Sequence, residues 1–355
     1  MVVVIDGSIG EGGGQILRTA LGLAAVLGKP VKIINIRAKR RNPGLQRQHL
    51  TAVRALAEIA NARVEGDRLG STELYFEPRM LRGGEFRFDI GTAGSTTLIL
   101  QALLPVLPFL PRRTTIEIRG GTDVPWSPPI DYVRFVLLRA LKMMGIEIEI
   151  ELVRRGHYPR GGGIIRIQVE PTHSIKPIQI LELGVVKKVQ GRSHCVKLPK
   201  HVAERQANAA REIIFRELGV EADIELEYYE PSKDPHLGPG SGIVLYVDAS
   251  RGIMGADALG EKGKPAEQVG REAAQKLVEE VRSGAGVDRH LGDMLISLAA
   301  LASGISELRV SSMTMHAWTV IRIVRQLVNE CEIIVDNEEI GKPFTVLIRG
   351  IGLTK

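Results

Sequence analysis

Six consecutive residues near the start of the chain, Gly10-Glu11-Gly12-Gly13-Gly14-Gln15, set one carboxylate in a loop that is otherwise almost all glycine. Further along, Arg37, Lys39, Arg40, Arg41 and Arg47 flank the turn Asn42-Pro43-Gly44. Glycine lets a backbone approach a ligand closely, and converging guanidinium groups match phosphate oxygens. Glu11 offers the oxygen ligand that a divalent ion bridging to those phosphates needs. Arg18 falls one helical turn inside the following segment, where it would steady charge at the same place. The pairing points to phosphate chemistry. The glycine loop by itself is weak evidence, because it lacks the Gly-Lys-Ser/Thr ending of a P-loop and the spacing of a dinucleotide-binding turn.

Two of the eight histidines lie late in the chain in chemically suggestive settings. His290, in Arg289-His290-Leu291-Gly292-Asp293, has a carboxylate nearby in sequence. His316, in Thr314-Met315-His316-Ala317-Trp318, directly precedes a helical stretch. A helix N-terminus disfavours imidazolium, which leaves a lone pair free for attack, and the same dipole attracts phosphates. On the residues alone, each of these side chains also has a plain structural reading. His316 would be a helix cap or a half-buried histidine, Asp293 a helix-start acid, Glu11 a solvated loop acid, and Lys39 with Arg41 a solvated face. The segment Thr122 to Pro129 either walls a base pocket with its ring faces or rigidly connects two elements. His157-Tyr158-Pro159-Arg160, followed by three glycines, reads as another site-lining loop, and His236 reads as a surface residue.

The elements that must position these groups follow from periodicity. Helical spacing runs over 15–27, 45–60, 130–144, 291–303 and 317–328, and a helix opens at Gly91-Thr92-Ala93-Gly94-Ser95 and continues to 107. Strands are expected at 31–36, 74–76, 86–90, 115–118, 146–152, 164–169, 307–310, 332–335 and 344–348. The order of loop, helix, strand, helix and strands recurs three times as a pattern rather than as a residue repeat. The stretch 175–282 breaks that rhythm, with helices over 202–218 and 265–281, strands over 223–228 and 243–248, and a proline- and glycine-rich loop over 231–242. The expected fold is α/β: a large domain of three repeated αβ sandwich units over 1–174 and 283–355, with a smaller αβ domain inserted at 175–282.

Composition narrows the function classes. At 355 residues the chain exceeds what one core usually holds. A formal net charge of +6 permits a polyanionic partner, whereas 4% aromatic residues argue against a broad base-stacking platform. Two cysteines exclude a disulfide framework and a multi-cysteine zinc site, and they fit a reducing compartment. With no apolar run of membrane-spanning length and no signal segment, a cytoplasmic protein is expected.

With these segments in view the chain resembles the RNA 3'-terminal phosphate cyclases along nearly its whole length. The matching stretches are GEGGGQILRTA (10–20), IRAKRRNPGLQRQHLTA (36–52), GTAGS (91–95), GGTD (120–123) with Pro128-Pro129, HYPRGGG (157–163) and HVAER (201–205). The resemblance implies three repeats like the C-terminal domain of the third bacterial initiation factor, plus the inserted domain. It implies an ATP-dependent conversion of an RNA 3'-phosphate into a 2',3'-cyclic phosphodiester. In the family a histidine is adenylylated, AMP passes to the RNA 3'-phosphate, and the 2'-hydroxyl expels it.

By the same resemblance His316 is the AMP-linked nucleophile, with Arg18, Arg37 and Arg40 as catalytic partners. Arg47, Gln48, His49, Pro128, Tyr132, His290, Asp293 and Met294 bind ATP or the RNA phosphate. Glu11, with Asp293 as a second candidate, holds Mg²⁺ or Mn²⁺. The chain departs from the bacterial pattern at His290, where a tyrosine can stand, and at Met294, where a glutamine is common. Two other readings remain to be weighed: a non-catalytic ribosome-assembly relative, and an enolpyruvyl-transferase-like enzyme of similar architecture.

Overall fold

The computed structural model describes residues 1–355. The first unit runs β1 (Val3–Asp6), α1 (Gly14–Leu27), β2 (Val31–Ile34), α2 (Arg47–Ile59), β3 (Arg63–Glu65) and β4 (Leu74–Glu77). Its sheet has the order β1-β2-β4-β3, with β1 and β2 parallel and the other pairs antiparallel. Helix α1 is apolar nearly all round because it is covered on several sides, by α2 and by helices of the other two units. It stops at Gly28, whose φ of 65° only glycine adopts cheaply.

The second unit contains β5 (Glu85–Asp89), α3 (Thr96–Leu103), β6 (Thr114–Gly120), α4 (Ile130–Tyr132), α5 (Leu138–Met143), β7 (Glu147–Arg154) and β8 (Gly163–Glu170). The helix expected over 130–144 is divided by a π-helical turn at Val133–Leu137. Sheet order is β5-β6-β8-β7, again with one parallel pair followed by antiparallel ones.

The third unit begins with the two-residue strand β9 (Gln179–Ile180) and is then interrupted. The interruption supplies β10 (Val186–Val196), α6 (His201–Leu218), β11 (Ala222–Glu227), β12 (Gly240–Ala249), β13 (Gly255–Leu259) and α7 (Ala266–Arg282). These form a separate sheet, β11-β10-β12-β13, on which α6 and α7 pack as a pair. The third unit then resumes with α8 (Arg289–Leu301), β14 (Ser303–Val310), α9 (Met315–Leu327), β15 (Glu332–Val335) and β16 (Phe344–Ile351). Its sheet order is β15-β16-β14-β9, with β9 and β14 parallel.

A cluster of 75 buried apolar residues runs through the three units, and a second cluster of 19 belongs to the insertion. Ile175, Ile178 and Ile180 lie in the larger cluster, so the first residues of the expected insertion pack with the core of the three units. Pro177 reads as a boundary, but β9 pairs with residues far downstream, a partnership with no local signal. No helix is long and apolar enough to cross a membrane.

Candidate active site

The first turns or caps of five helices line one cavity of about 840 Å³. They contribute Gly14, Gln15 and Arg18 from α1, Gln48 and His49 from α2, and Ser95 and Leu98 from α3. Helix α8 adds His290, Asp293 and Met294, and α9 adds His316. Each helix start carries unpaired N–H groups and the positive end of a dipole, so their convergence favours an anion. The caps are built from local residues: Ser95 on α3, Asp288 on α8, Thr314 on α9, and a reciprocal Gln46/His49 pair on α2.

The glycine loop sits where only glycine fits. Gly10 and Gly12 have φ of +57° and +58°, and a Cβ on Gly10 would lie 2.7 Å from Thr319 Oγ1 of α9. A Cβ on Gly14 would lie 2.3 Å from His49 Nε2, and one on Gly13 2.9 Å from an Arg40 nitrogen. Close seating brings Glu11 to Arg40, at 2.9 Å from Nη2, and to His316, whose Nε2 is 3.9 Å from Oε2. Lys39 donates to the Gly10 carbonyl at 3.0 Å and so serves the loop. Arg37 lines the cavity while its Nη1 donates to the Asn42 and Gly44 carbonyls at 2.5 and 3.0 Å, closing the turn.

Arg18 is 7% exposed, and its one side-chain hydrogen bond goes to Gln15 Oε1 at 2.9 Å. Its Nε is buried without a partner, and no carboxylate pairs with it. Burial lowers its pKa to about 10, so it stays cationic at neutral pH. A buried cation without a counter-ion is costly, and an incoming phosphate would relieve that cost. Burial, reinforced by Arg18 and Arg37, holds His49 down to about 3. His49 is therefore neutral, and its Nδ1 accepts from the Gln46 N–H at 3.3 Å.

At the start of α9, Thr314 Oγ1 accepts from the Ala317 N–H at 2.9 Å and donates to Asp293 Oδ1 at 2.8 Å. Asp293 Oδ2 stands 4.0 Å from His316 Nδ1. The His316 side chain is 47% exposed, and crowding by the cavity walls lowers its pKa below the ordinary histidine value. Burial raises the Asp293 pKa well above the usual carboxylate range, against the opposing Thr314 hydrogen bond. The imidazole thus lies between the Arg40-paired Glu11 carboxylate on its Nε2 side and a carboxyl that burial favours as neutral on its Nδ1 side.

Of the residues expected in the site, Glu11, Arg18, Arg37, Arg40, Gln48, His49, Pro128, Tyr132, His290, Asp293, Met294 and His316 all line the cavity. Arg47 does not; it is exposed at the start of α2, 3.9 Å from where a Gly91 Cβ would stand. Gln48 Oε1 accepts from the Ser95 N–H at 2.6 Å and so joins the first two units. Tyr132 is buried and donates its hydroxyl to Asp288 Oδ1 at 2.7 Å, acting as a brace between the second unit and α8. Trp126, 97% exposed, lies at the cavity rim with Pro125, Ser127 and Pro128.

The 157–160 loop does not line the cavity: His157 is buried and its Nε2 meets His194 Nε2 at 3.0 Å. His236, expected at the surface, is 4% exposed, with Nδ1 2.7 Å from Asp234 Oδ1. Sequence reasoning missed Asp257 and Lys276, which the insertion contributes to the cavity wall. Burial raises Asp257 to about 6. No motif marks either residue.

The family model described as RNA 3'-terminal phosphate cyclase matches residues 9–333. Proteins named RNA 3'-terminal phosphate cyclase are similar along their whole lengths. The one from Hyperthermus butylicus is 59% identical over 353 residues, covering 99% of this chain and 98% of the relative. The one from Staphylothermus marinus is 54% identical over 356 residues, covering 99% of each. The one from Methanopyrus kandleri is 52% identical over 352 residues, again covering 99% of each. The fold and site define an α/β protein with a cavity at converging helix starts, whose dipoles favour an anion. The chain belongs to the RNA 3'-terminal phosphate cyclase family and is an enzyme of the ligase class. A solved EPSP synthase from Acinetobacter baumannii overlaps 99% of this chain and 64% of its own at a TM-score of 0.30 and 10% identity, too slight a likeness to carry an argument.

Proposed function

We propose that the protein uses ATP to convert an RNA 3'-terminal phosphate into a 2',3'-cyclic phosphodiester, with AMP carried on His316. The observation that carries this reading is the setting of His316: second residue of α9, in a cavity with Arg18, Arg37 and Arg40, and within 4.0 Å of both Glu11 and Asp293. A depressed pKa keeps the imidazole neutral, as a nucleophile must be. In the first step the Nε2 lone pair forms a bond to the α-phosphorus of ATP, and pyrophosphate leaves with the electrons of the broken P–O bond. An oxygen of the RNA 3'-phosphate then attacks the same phosphorus, and the histidine leaves with its electron pair. Finally the 2'-oxygen attacks the 3'-phosphorus, gives up its proton, and AMP departs.

Arg18, Arg37 and Arg40 bind and neutralise the phosphates through these steps. Asp293 orients the imidazole from the Nδ1 side, its own position set by Thr314. The donor set fits Mg²⁺ or Mn²⁺ at Glu11, whose second oxygen is free of hydrogen bonds and which phosphate oxygens would complete. Such an ion, when bound, supplies positive charge to the phosphates. Buried and favoured neutral, Asp293 suits orientation better than metal binding. Arg47 is left for RNA beyond the cavity.

We read the three like-ordered sheets as repeats of one unit, like the C-terminal domain of the third bacterial initiation factor. The insertion, about 181–286 by its core, we read as a separate domain, and the cytoplasm as the site of action. A non-catalytic assembly role has no use for a neutral histidine in one cavity with an unpaired buried arginine.

The test is incubation with α-labelled ATP and a divalent ion, followed by denaturing electrophoresis of wild type, His316→Ala and His290→Ala. Label on wild type and His290→Ala but not on His316→Ala supports the assignment. Label on His316→Ala, or none on folded wild type, overturns it.

A further inference from the structure

Away from the cavity, the large domain meets the insertion across a buried polar cluster that the proposed chemistry does not use. Asp123 follows β6, His157 follows β7, and His194 lies on β10 of the insertion. All three are buried, and each offers a ligand atom within 4.8 Å of the other two. We propose that Asp123, His157 and His194 form a binding site for a divalent metal ion of the zinc class, which ties the insertion to the large domain.

Donor chemistry supports this. Two imidazoles and one carboxylate are a set that zinc takes readily, with a fourth position for water. The two Nε2 atoms are 3.0 Å apart. Two nitrogens held at zinc's bond length of about 2.0–2.1 Å in a tetrahedron stand roughly 3.3 Å apart, so the rings are nearly spaced for a shared ion. No pair in the cluster is wider than 4.8 Å, so reaching such distances takes at most roughly 1.5 Å, which is a side-chain adjustment.

The surroundings are also suited. The Nδ1 atoms of His157 and His194 have no protein partner, and the two Nε2 atoms share one hydrogen bond, which a bound ion would replace by taking a lone pair from each ring. Thr122 Oγ1 donates to Asp123 Oδ2 at 2.6 Å, orienting the carboxylate. Arg155 is the competing cation: its Nη1 reaches the Asp123 oxygens at 3.2 and 3.3 Å. That guanidinium is shared with Asp131 and Glu227, so three carboxylates surround one fully buried positive charge. Arg134 pairs with Asp131 at 3.1 Å, and Arg192 lies 3.7 Å from Asp131 and 3.9 Å from Glu227, so neither reaches Asp123. A Cβ on Gly240 would lie 2.0 Å from His157 Cγ, so the insertion's backbone closes directly over the ring.

The test measures zinc by mass spectrometry in protein purified from zinc-supplemented cells and dialysed against EDTA. It compares wild type, Glu11→Gln and the double variant His157→Gln/His194→Gln. About one zinc per chain is expected in wild type and in Glu11→Gln, with binding weakened by more than about 100-fold in the double variant, since losing outer partners alone costs 10–100-fold. Should the double variant fail to fold, wild type grown with cobalt gives the second readout: a strong visible absorption of tetrahedral cobalt(II), and a higher Tm than protein from metal-depleted cells. Absence of stoichiometric zinc and of the cobalt band in wild type overturns the site. Equal zinc in the double variant does so too, by placing the metal elsewhere. Loss of zinc in Glu11→Gln alone would assign it to the nucleotide cavity instead.

Discussion

Helices α8 and α9 begin alike and diverge in use. Each has a capping side chain, Asp288 or Thr314, and a histidine two residues later, His290 or His316, and both histidines line the same cavity. The caps then differ. Asp288 is spent on structure: Oδ1 accepts from the His290 and Leu291 N–H groups and from the Tyr132 hydroxyl, and Oδ2 accepts from the Gly255 N–H of the insertion. Thr314 passes a hydrogen bond to Asp293, which lies on α8 and faces His316 across the groove between the helices. His316 therefore has a carboxyl group on each side, whereas His290 makes no ion pair. A helix start prepares an imidazole for either role, and neighbours from other units select one.

Substituting the two histidines and their caps breaks this comparison open. The largest effect is expected for His316→Ala, with complete loss of covalent AMP and unchanged Tm, read by labelling and by thermal melting. Asp288→Ala follows, because it removes a cap and strands the buried Tyr132 hydroxyl and Gly255 N–H. A loss of about 2–4 kcal/mol of stability is expected by denaturant titration. Thr314→Ala should cost only about 1 kcal/mol as a cap, yet slow labelling, since Asp293 loses its tether. His290→Ala should do least, changing the ATP concentration for half-maximal labelling by a few-fold and leaving the fold untouched.

A pH series sharpens the contrast between exposed and crowded imidazoles. His49 is held at about 3 in the folded protein, against about 6.5 when unfolded. Between those values the unfolded chain binds more protons, so stability rises with pH across the window and is lost as pH falls from about 6.5 towards 3. Asp293 runs the other way: its raised pKa means the folded state holds the extra proton, and stability falls as pH rises above about 4 towards its folded value. Chemical unfolding at several pH values should show a shallower acid slope for His49→Gln. A steeper slope in that variant would contradict the crowding around Gly14, Arg18 and Arg37.

Much of the site was legible because its parts are local. A loop of glycines around one acid, an arginine run about a turn, and histidines at helix starts are written in adjacent residues, and Gly10 with its φ of +57° bears out the need for glycine. The longest strand, β10, was not legible. Its sequence, with Lys187, Lys188, Gly191, Arg192 and His194, shows no alternation of apolar residues, yet it pairs on both sides and lies central in its sheet. Its polar side chains are satisfied by partners from elsewhere, as Ser193 is by Gln206 and His194 by His157. β9 escaped notice for the same reason, being two residues long and paired at long range.

By itself, the sequence determined the chemistry on offer: cations of a kind that suits phosphate, one loop carboxylate, candidate nucleophiles, and helices and strands in a recurring order, since each depends on side-chain type and near neighbours. Tertiary structure alone decided which histidine faces Glu11 and Asp293, that Arg47 stays out of the cavity lining, that Asp257 and Lys276 reach the cavity from the insertion, and that His157 and His194 meet. Those outcomes depend on how units distant in sequence pack. Distance, burial and the resulting pKa shifts are properties of that packing, and no local pattern encodes them.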